Sequence, residues 1–194
     1  MLEELTPEIV LHGYRLGIFP MADEFGEISW YSPDPRCIFE YDRFRVPRSL
    51  RQVIRRGTFE TRANTAFDQV IGACADRSEG TWISPGFAAV YIELHHIGHA
   101  HCVESWQDGK LVGGLYGVAI GGVFFGESMF HRVTDASKVA LVALIERLKE
   151  RGFALIDVQW STPHLQRFGA VEIPRSEYLD RLERALKLPC RFAN

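Results

Sequence analysis

The sequence predicts an α+β fold built around a mostly antiparallel sheet. Three apolar, strand-like segments follow one another between residues 100 and 130, separated by turn signals at Gln107-Asp-Gly109 and Gly121-Gly122. An amphipathic segment, Asp135 to Arg151, comes next, and the apolar run Leu155-Ile-Asp-Val-Gln159 follows it. A series of hairpin strands followed by a strand–helix–strand unit is typical of α+β architecture.

The N-terminal third predicts shorter elements. Thr6-Pro7-Glu8 has a hydroxyl cap, a proline at the first helical position and an acid in the first turn, so a helix should run from there to about Leu16. Two prolines keep Ser32-Pro-Asp-Pro-Arg36 in extended or turn geometry. The following residues, Cys37 to Tyr41, are predicted to form a short strand. Further helices are predicted at three places: Thr65–Ala75, Ser84–Ile97 and about 176–187.

Composition excludes several classes of protein. Hydrophobic residues make up 46% of the 194 residues, which is enough for a normal core, and no apolar run approaches the ~20 residues of a membrane span. The acidic start Met1-Leu-Glu-Glu does not resemble a signal peptide. Four cysteines without a Cys-x-x-Cys pair favour a reduced, cytoplasmic setting over disulfides or zinc, and we expect no metal and no membrane partner.

One basic segment interrupts a chain whose net charge is −3. Between Arg43 and Arg62 seven arginines stand against one acid, Glu60. Arg48, Arg51 and Arg55 have helical spacing, so one helix face would carry three guanidinium groups. A solvated charged face is one interpretation, and an anion-binding surface is the other; the lack of nearby carboxylates favours the second.

Two carboxylates lie inside apolar, strand-like runs. Burying Glu127 or Asp157 costs several kcal/mol unless the group is hydrogen-bonded or paired. Strand alternation would place Asp157 and Gln159 side by side, and Glu127 on the same face as Met129, unless Gly126 marks a bulge. We therefore expect Glu127 and Asp157 to meet at one cleft.

An apolar pocket is predicted beside those carboxylates. Leu141, Leu144, Ile145 and Leu148 form the buried stripe of the 135–151 helix, and part of this stripe could line a pocket rather than only fill the core. Because no Gly-x-Gly-x-x-Gly or Walker-type loop precedes a helix, nothing in the sequence argues for a nucleotide cofactor.

Eight segments in register together resemble the bacterial leucyl/phenylalanyl-tRNA–protein transferases over nearly the whole chain. They are Ser32-Pro-Asp-Pro-Arg36, Gly80-Thr-Trp-Ile83, Gly98-His-Ala-His101, Gly113-Gly-Leu-Tyr-Gly-Val118, Gly126-Glu-Ser-Met-Phe130, Ala136-Ser-Lys138, Leu155-Ile-Asp-Val-Gln159 and Glu172-Ile-Pro-Arg175. The family often has tryptophan where Met21 stands here. The resemblance implies a GNAT-like catalytic domain, residues 63–194, after a smaller α+β N-terminal domain, residues 1–62.

The resemblance also implies an activity and its partners. The family moves Leu, Phe or, less well, Met from aminoacyl-tRNA to proteins that begin with Arg or Lys, creating an N-end-rule degradation signal without a cofactor. By matched position, the catalytic residues would be Asp157, Gln159 and Glu127. The aminoacyl pocket would be lined by Leu115, Met129, Leu141, Leu144, Leu148 and Ile156, with Trp82 near the 3′-adenosine of the tRNA and Arg48, Arg51 and Arg55 at its acceptor stem.

The sequence is also compatible with two other functions. An acyl-CoA-dependent N-acyltransferase would need a glycine-rich turn at a helix start to hold the pyrophosphate, and the segment from Phe130 to Ala136 has no glycine. A non-catalytic RNA-binding module would leave Asp157 and Gln159 with structural roles only. A monomer is expected, although the sequence leaves the oligomeric state open.

Overall fold

The computed structural model describes residues 5–23, 27–76 and 81–193, and contains a nine-stranded, seven-helix α+β arrangement in those ranges. The acidic start and Gly80 of the Gly80-Thr-Trp-Ile83 segment lie outside the described residues. The helices are α1 Pro7–Arg15, α2 Arg48–Arg55, α3 Phe67–Ala75, α4 Pro85–His96, α5 Ala136–Glu150, α6 Pro163–Arg167 and α7 Arg175–Leu186. The strands are β1 Phe19–Ala22, β2 Ile28–Tyr31, β3 Arg36–Phe39, β4 Glu60–Ala63, β5 Ala100–Gln107, β6 Lys110–Ile120, β7 Val123–His131, β8 Leu155–Gln159 and β9 Val171–Ile173.

Helix starts follow the capping residues in the sequence. Thr6 accepts a hydrogen bond from the Ile9 N–H at 3.4 Å, and Ser84 accepts one from the Phe87 N–H at 3.2 Å. In both helices proline occupies the first turn, where its missing N–H costs no helical hydrogen bond. The predicted helix starts at these two sites are confirmed.

Seven strands form one sheet in the order β4-β5-β6-β7-β8-β3-β9. All neighbouring strands are antiparallel except β7 and β8, which are parallel and joined through α5. The predicted α+β fold with a mostly antiparallel sheet is confirmed. Strands β1 and β2 form a separate two-stranded sheet.

The two faces of the large sheet carry different hydrophobic clusters. One cluster joins the apolar stripe of α5 to Leu50 of α2 and to side chains such as Leu115 and Phe124. The opposite cluster contains buried residues of α1, α3, α4 and α7 together with Phe125 and Leu155. Consecutive residues 124 and 125, and likewise 155 and 156, therefore face opposite layers, as strand alternation requires.

The structure contains more short elements than the sequence patterns indicated. Strands β4, β9, β1 and β2 and the short α6 were not predicted, because runs of three or four residues carry too little periodicity. The expected division between residues 62 and 63 falls inside β4, and β3, which precedes it, lies between β8 and β9. That division stays a prediction. No helix in the described part of the chain is both long and apolar enough to span a bilayer.

Candidate active site

A cavity opens where the parallel strands β7 and β8 separate. The two strands pair only from Val123 and Leu155 to Phe125 and Asp157, although β7 continues to His131. Beyond the last pair lies a cavity of about 270 Å³, lined by both strands, α5, α6 and Trp82. A site of this size is close to the lower end of the range for small-molecule pockets.

Two β-bulges turn polar side chains into this cavity. In β7 the register with β6 shifts between Ser128 and Gly126, so that Glu127 is the extra residue. In β8 the register with β3 shifts between Asp157 and Gln159, so that Val158 is extra. Gln159 has φ 65°, a left-handed conformation uncommon outside glycine. Bulges re-aim side chains near active sites, and here both Glu127 and Gln159 line the cavity.

Most of the predicted apolar pocket lies together. Leu115, Met129, Leu141, Leu144 and Ile156 all line the cavity. Leu148 does not: it is fully buried in the hydrophobic cluster beneath α5. Four residues after Leu144, it lies about 6 Å further along the helix axis, beyond the end of the cavity. Leu148 is therefore a core residue, which corrects the expectation for this position.

Trp82 lies on the cavity wall, as its predicted role near a nucleoside requires. It packs edge-on against Phe87 of α4, with ring centroids 4.9 Å apart. Its role in binding stays a prediction.

Glu127 is the carboxyl group that borders the cavity. Its Oε1 accepts hydrogen bonds from the Tyr14 hydroxyl at 2.6 Å and from Gln159 Nε2 at 3.0 Å. Its Oε2 is buried and has no hydrogen-bond partner among the described residues. Burial raises the pKa of Glu127 to about 8, although the hydrogen bond from Tyr14 opposes the increase. This carboxyl can thus exchange a proton near neutral pH.

Asp157 does not border the cavity, contrary to the expected side-by-side arrangement with Gln159. It is fully buried, and Arg36 binds both of its oxygens, with Nε–Oδ1 2.9 Å and Nη2–Oδ2 2.6 Å. The Tyr178 hydroxyl donates to Oδ2 at 2.8 Å. The bulge at Val158 breaks the alternation on which the expectation rested. Gln159 links the two carboxyl groups: its backbone N–H donates to Asp157 and its side-chain amide donates to Glu127.

Asp157 instead holds the backbone of Gln159. The Gln159 N–H donates to Asp157 Oδ1 at 2.9 Å, while the Gln159 side chain donates to Glu127. The chain of contacts therefore runs from the Arg36–Asp157 ion pair through the strained Gln159 to Glu127. Asp157 is placed to position Gln159 rather than to touch a ligand.

Four residues of this network were missed in the sequence. They are Arg36, Tyr14, Tyr91 and Tyr178. The Tyr14 and Tyr91 hydroxyls lie 2.7 Å apart, and burial together with the Glu127 charge raises both pKa values well above 10.0. Arg36 is separated from Asp157 by 121 positions, so no local pattern could pair them. The one available signal was the buried carboxylate, which required an unidentified partner.

The basic helix α2 presents the predicted charges to solvent. Arg48, Arg51 and Arg55 are exposed, and within the described residues none of them forms an ion pair. Leu50 of the same helix is buried in the cluster that contains α5. The arginines and the apolar wall of the cavity thus belong to the same layer of the fold.

No group of three or more potential metal ligands occurs among the described residues, and all four cysteines are free. The cavity combines an apolar wall with one carboxyl and one amide. Such a site can hold an apolar side chain at one end and a polar or charged nitrogen at the other. It suits positioning and proton transfer at an already activated substrate.

The raised pKa of Glu127 predicts a pH-dependent stability. Between about pH 5 and 7.5 the folded protein keeps this proton and the unfolded chain, with a carboxyl pKa near 4.5, releases it. Folding takes up a proton, so stability falls as pH rises, by up to about 1.4 kcal/mol per pH unit. Urea unfolding should show this decline for the wild type relative to Glu127→Gln, whereas the exposed Glu93→Gln should follow the wild type. Parallel wild-type and Glu127→Gln curves would refute the assignment.

Comparison with known proteins gives the family. The model of the family described as leucyl/phenylalanyl-tRNA protein transferase matches residues 38–183, and that of its N-terminal domain matches residues 3–34. The chain belongs to the leucyl/phenylalanyl-tRNA protein transferase family. The first matched region ends at residue 34 and the second begins at residue 38, which lies within β3.

Two curated relatives in this family match over their full length. The leucyl/phenylalanyl-tRNA–protein transferase of Gloeobacter violaceus is 56% identical over 99% of this chain and 100% of its own length. That of Herpetosiphon aurantiacus is 55% identical with the same coverage. The resemblance derived from the eight segments is therefore confirmed, and the chain is an enzyme of the transferase class.

Likeness to solved structures is weaker. A transcriptional regulator from Bacillus halodurans C-125 covers 57% of this chain and 88% of its own, at 17% identity and a TM-score of 0.44. A similarity of this degree adds nothing about activity.

Proposed function

We propose that this protein transfers leucine or phenylalanine, and methionine less well, from tRNA to the α-amine of proteins that begin with Arg or Lys. The product would carry an N-end-rule degradation signal. The observation that carries the proposal is the cavity of this family member: an apolar wall ends at Glu127, whose Oε2 is buried without a hydrogen-bond partner in the described residues.

The apolar wall supports the choice of donor. Leu115, Leu141 and Leu144 offer no hydrogen bond, so an apolar side chain that is not branched at Cβ is the natural occupant. Such a pocket separates similar apolar side chains by only about 1–3 kcal/mol per methylene, which is why some transfer of methionine is expected. Side chains branched at Cβ would be rejected by shape.

Glu127 supports the choice of acceptor. An incoming α-ammonium group would supply a hydrogen-bond donor to Oε2 and would favour the ionised form of Glu127, to which a basic first residue is attracted. Because an α-amine and Glu127 both titrate near pH 8, they can share one proton as ammonium and carboxylate or as amine and acid. Neither charge then has to be buried alone.

The reaction needs no further activation, because an aminoacyl ester is already reactive. The amine nitrogen attacks the ester carbonyl, the bond to the ribose oxygen breaks, and the amine proton ends on that oxygen. Glu127 would stabilise the positive charge that forms on nitrogen. Holding two large substrates in attack geometry contributes about 7–11 kcal/mol, more than general-base assistance provides.

Gln159 and Asp157 have positioning roles in this proposal. Gln159 fixes the Glu127 carboxyl through its amide, and Asp157 fixes Gln159 through the backbone N–H. Asp157 acts at a distance from the amine, through Gln159. The exposed Arg48, Arg51 and Arg55 would bind phosphates of the acceptor stem, with Trp82 beside the terminal adenosine.

The test is transfer of radiolabelled leucine from leucyl-tRNA to peptides that differ only in their first residue. We expect rapid transfer to Arg and Lys peptides without ATP or coenzyme A, and at least about tenfold slower transfer to Asp and Glu peptides. Transfer from an acyl-coenzyme A instead of leucyl-tRNA, or no transfer at all, would refute the proposal. Equal rates for all four peptides would refute the acceptor specificity alone.

A further inference from the structure

A second cavity adjoins the first. Its volume is about 320 Å³, and it shares Met129 and His164 with the cavity already described. The remaining lining residues come from the end of β7 and the first turn of α5: His131, Thr134, Asp135, Ser137 and Lys138. The apolar pocket and this second cavity are therefore neighbouring compartments of one site.

Basic side chains dominate the lining of the second cavity. Lys138, His131 and His164 face one carboxylate, Asp135, which lies 2.6 Å from Lys138 Nζ. Burial lowers the pKa of His164, and the nearby charges of Lys138, Arg167 and His131 lower it further. Four basic groups are thus close enough to repel one another, and a bound anion would relieve that repulsion.

One polar side-chain atom of this cavity has no hydrogen-bond partner in the described structure. His164 Nε2 is buried with no hydrogen-bond partner there. Helix α5 begins at Ala136 without a side-chain cap, because Asp135 adopts φ 71° and turns its carboxylate to Lys138 instead. The first-turn N–H groups of a 15-residue helix add a favourable partial positive charge.

We propose that the second cavity binds the phosphodiester that joins the last two nucleotides of the aminoacyl-tRNA. The inference rests on the proposed function, which places the aminoacyl side chain in the adjoining apolar pocket. The phosphodiester lies one nucleoside from the ester, so it should occupy a neighbouring compartment. A basic acceptor peptide is excluded by charge, since its first side chain and its amine would meet Lys138 and the histidines.

The experiment compares two truncated donors, leucyl-adenosine and the leucyl ester of cytidylyl-adenosine, which adds one phosphodiester. The readout is the ratio of their KM values with one Arg peptide. For the wild type we expect the dinucleotide to have a KM about 10–100-fold lower, the size of one or two charge-assisted hydrogen bonds. Lys138→Ala should reduce that ratio to about twofold, whereas Lys149→Ala, at the other end of α5, should leave it as in the wild type.

One further donor and one further variant keep the result specific. A dinucleotide with an uncharged methylphosphonate link should lose the advantage in the wild type, which separates the phosphate charge from contacts of the cytidine. Asp135→Asn combined with Lys138→Ala removes both members of the ion pair and should show the same low ratio. The proposed subsite would be overturned if Lys138→Ala kept the wild-type KM ratio, or if the methylphosphonate dinucleotide kept the full KM advantage over leucyl-adenosine. Absence of transfer from intact leucyl-tRNA would overturn the proposed function instead.

Discussion

Arg36→Met is expected to destabilise the protein by about 3–5 kcal/mol, the usual cost of leaving one member of a buried ion pair without its partner. Arg36 and Asp157 are 1% and 0% exposed, so the remaining carboxylate would have no access to water. The substitution also removes a hydrogen bond to the Gly17 carbonyl and the contacts of the guanidinium with the Phe19 and Tyr178 rings. Differential scanning calorimetry should show a melting temperature lower by roughly 10 °C or more for a chain of this size.

The double variant Arg36→Met with Asp157→Leu separates charge from packing. Because it leaves no isolated buried charge, it should recover at least half of the lost stability. Its turnover should remain low, since the Gln159 N–H loses its acceptor, while its affinity for tRNA should change little. A double variant less stable than Arg36→Met would contradict the charge argument. Equal losses in turnover and tRNA affinity would contradict the positioning role of Asp157.

Glu127→Gln is expected to lower kcat/KM by about 10²–10³-fold, because the amide cannot take up the positive charge or proton of the attacking amine. Its carbonyl oxygen can still accept the hydrogen bonds from Tyr14 and Gln159, so the cavity should keep its shape. Single-turnover transfer of leucine to an Arg peptide measures the loss directly. The wild-type rate should also rise with pH through the region of the Glu127 pKa, about 8.

The acceptor amine titrates in the same range, so the pH profile alone does not identify Glu127. Comparison with Glu127→Gln isolates its contribution, because the amine is common to both proteins. The exposed Glu93→Gln serves as the matched surface control. Retention of more than about a third of wild-type activity by Glu127→Gln would remove this carboxyl from the proposed mechanism.

The apolar wall of the cavity could be predicted from the sequence, because helical periodicity is a local pattern. Leu141 and Leu144 follow the repeat of α5, and both line the cavity. The same reasoning failed at Leu148, since periodicity tells which helix face is buried but not where along the axis a cavity ends. The basic face of α2 was predicted for the same reason and is exposed as expected.

Which polar side chains face the cavity depends on the register of strands β7 and β8. Strand alternation placed Asp157 beside Gln159, and a bulge at Val158 separated them. A glycine at position 126 hinted at the bulge at Glu127, but nothing in the sequence indicated one in β8. A shift of one residue exchanges the faces of a strand, so small errors in register reverse the assignment of a side chain.

By itself, the sequence determined the α+β class, the main helices and strands from Ala100 onward, the family and the presence of an apolar pocket beside a buried carboxyl. These features depend on patterns within about 20 neighbouring residues or on motifs in fixed order. Only the tertiary structure decided which carboxyl borders the cavity. Asp157 is held in an ion pair with Arg36, which lies 121 positions earlier in the chain. Partners that lie far apart in the chain are selected by three-dimensional packing and by the cost of a buried, unpaired charge.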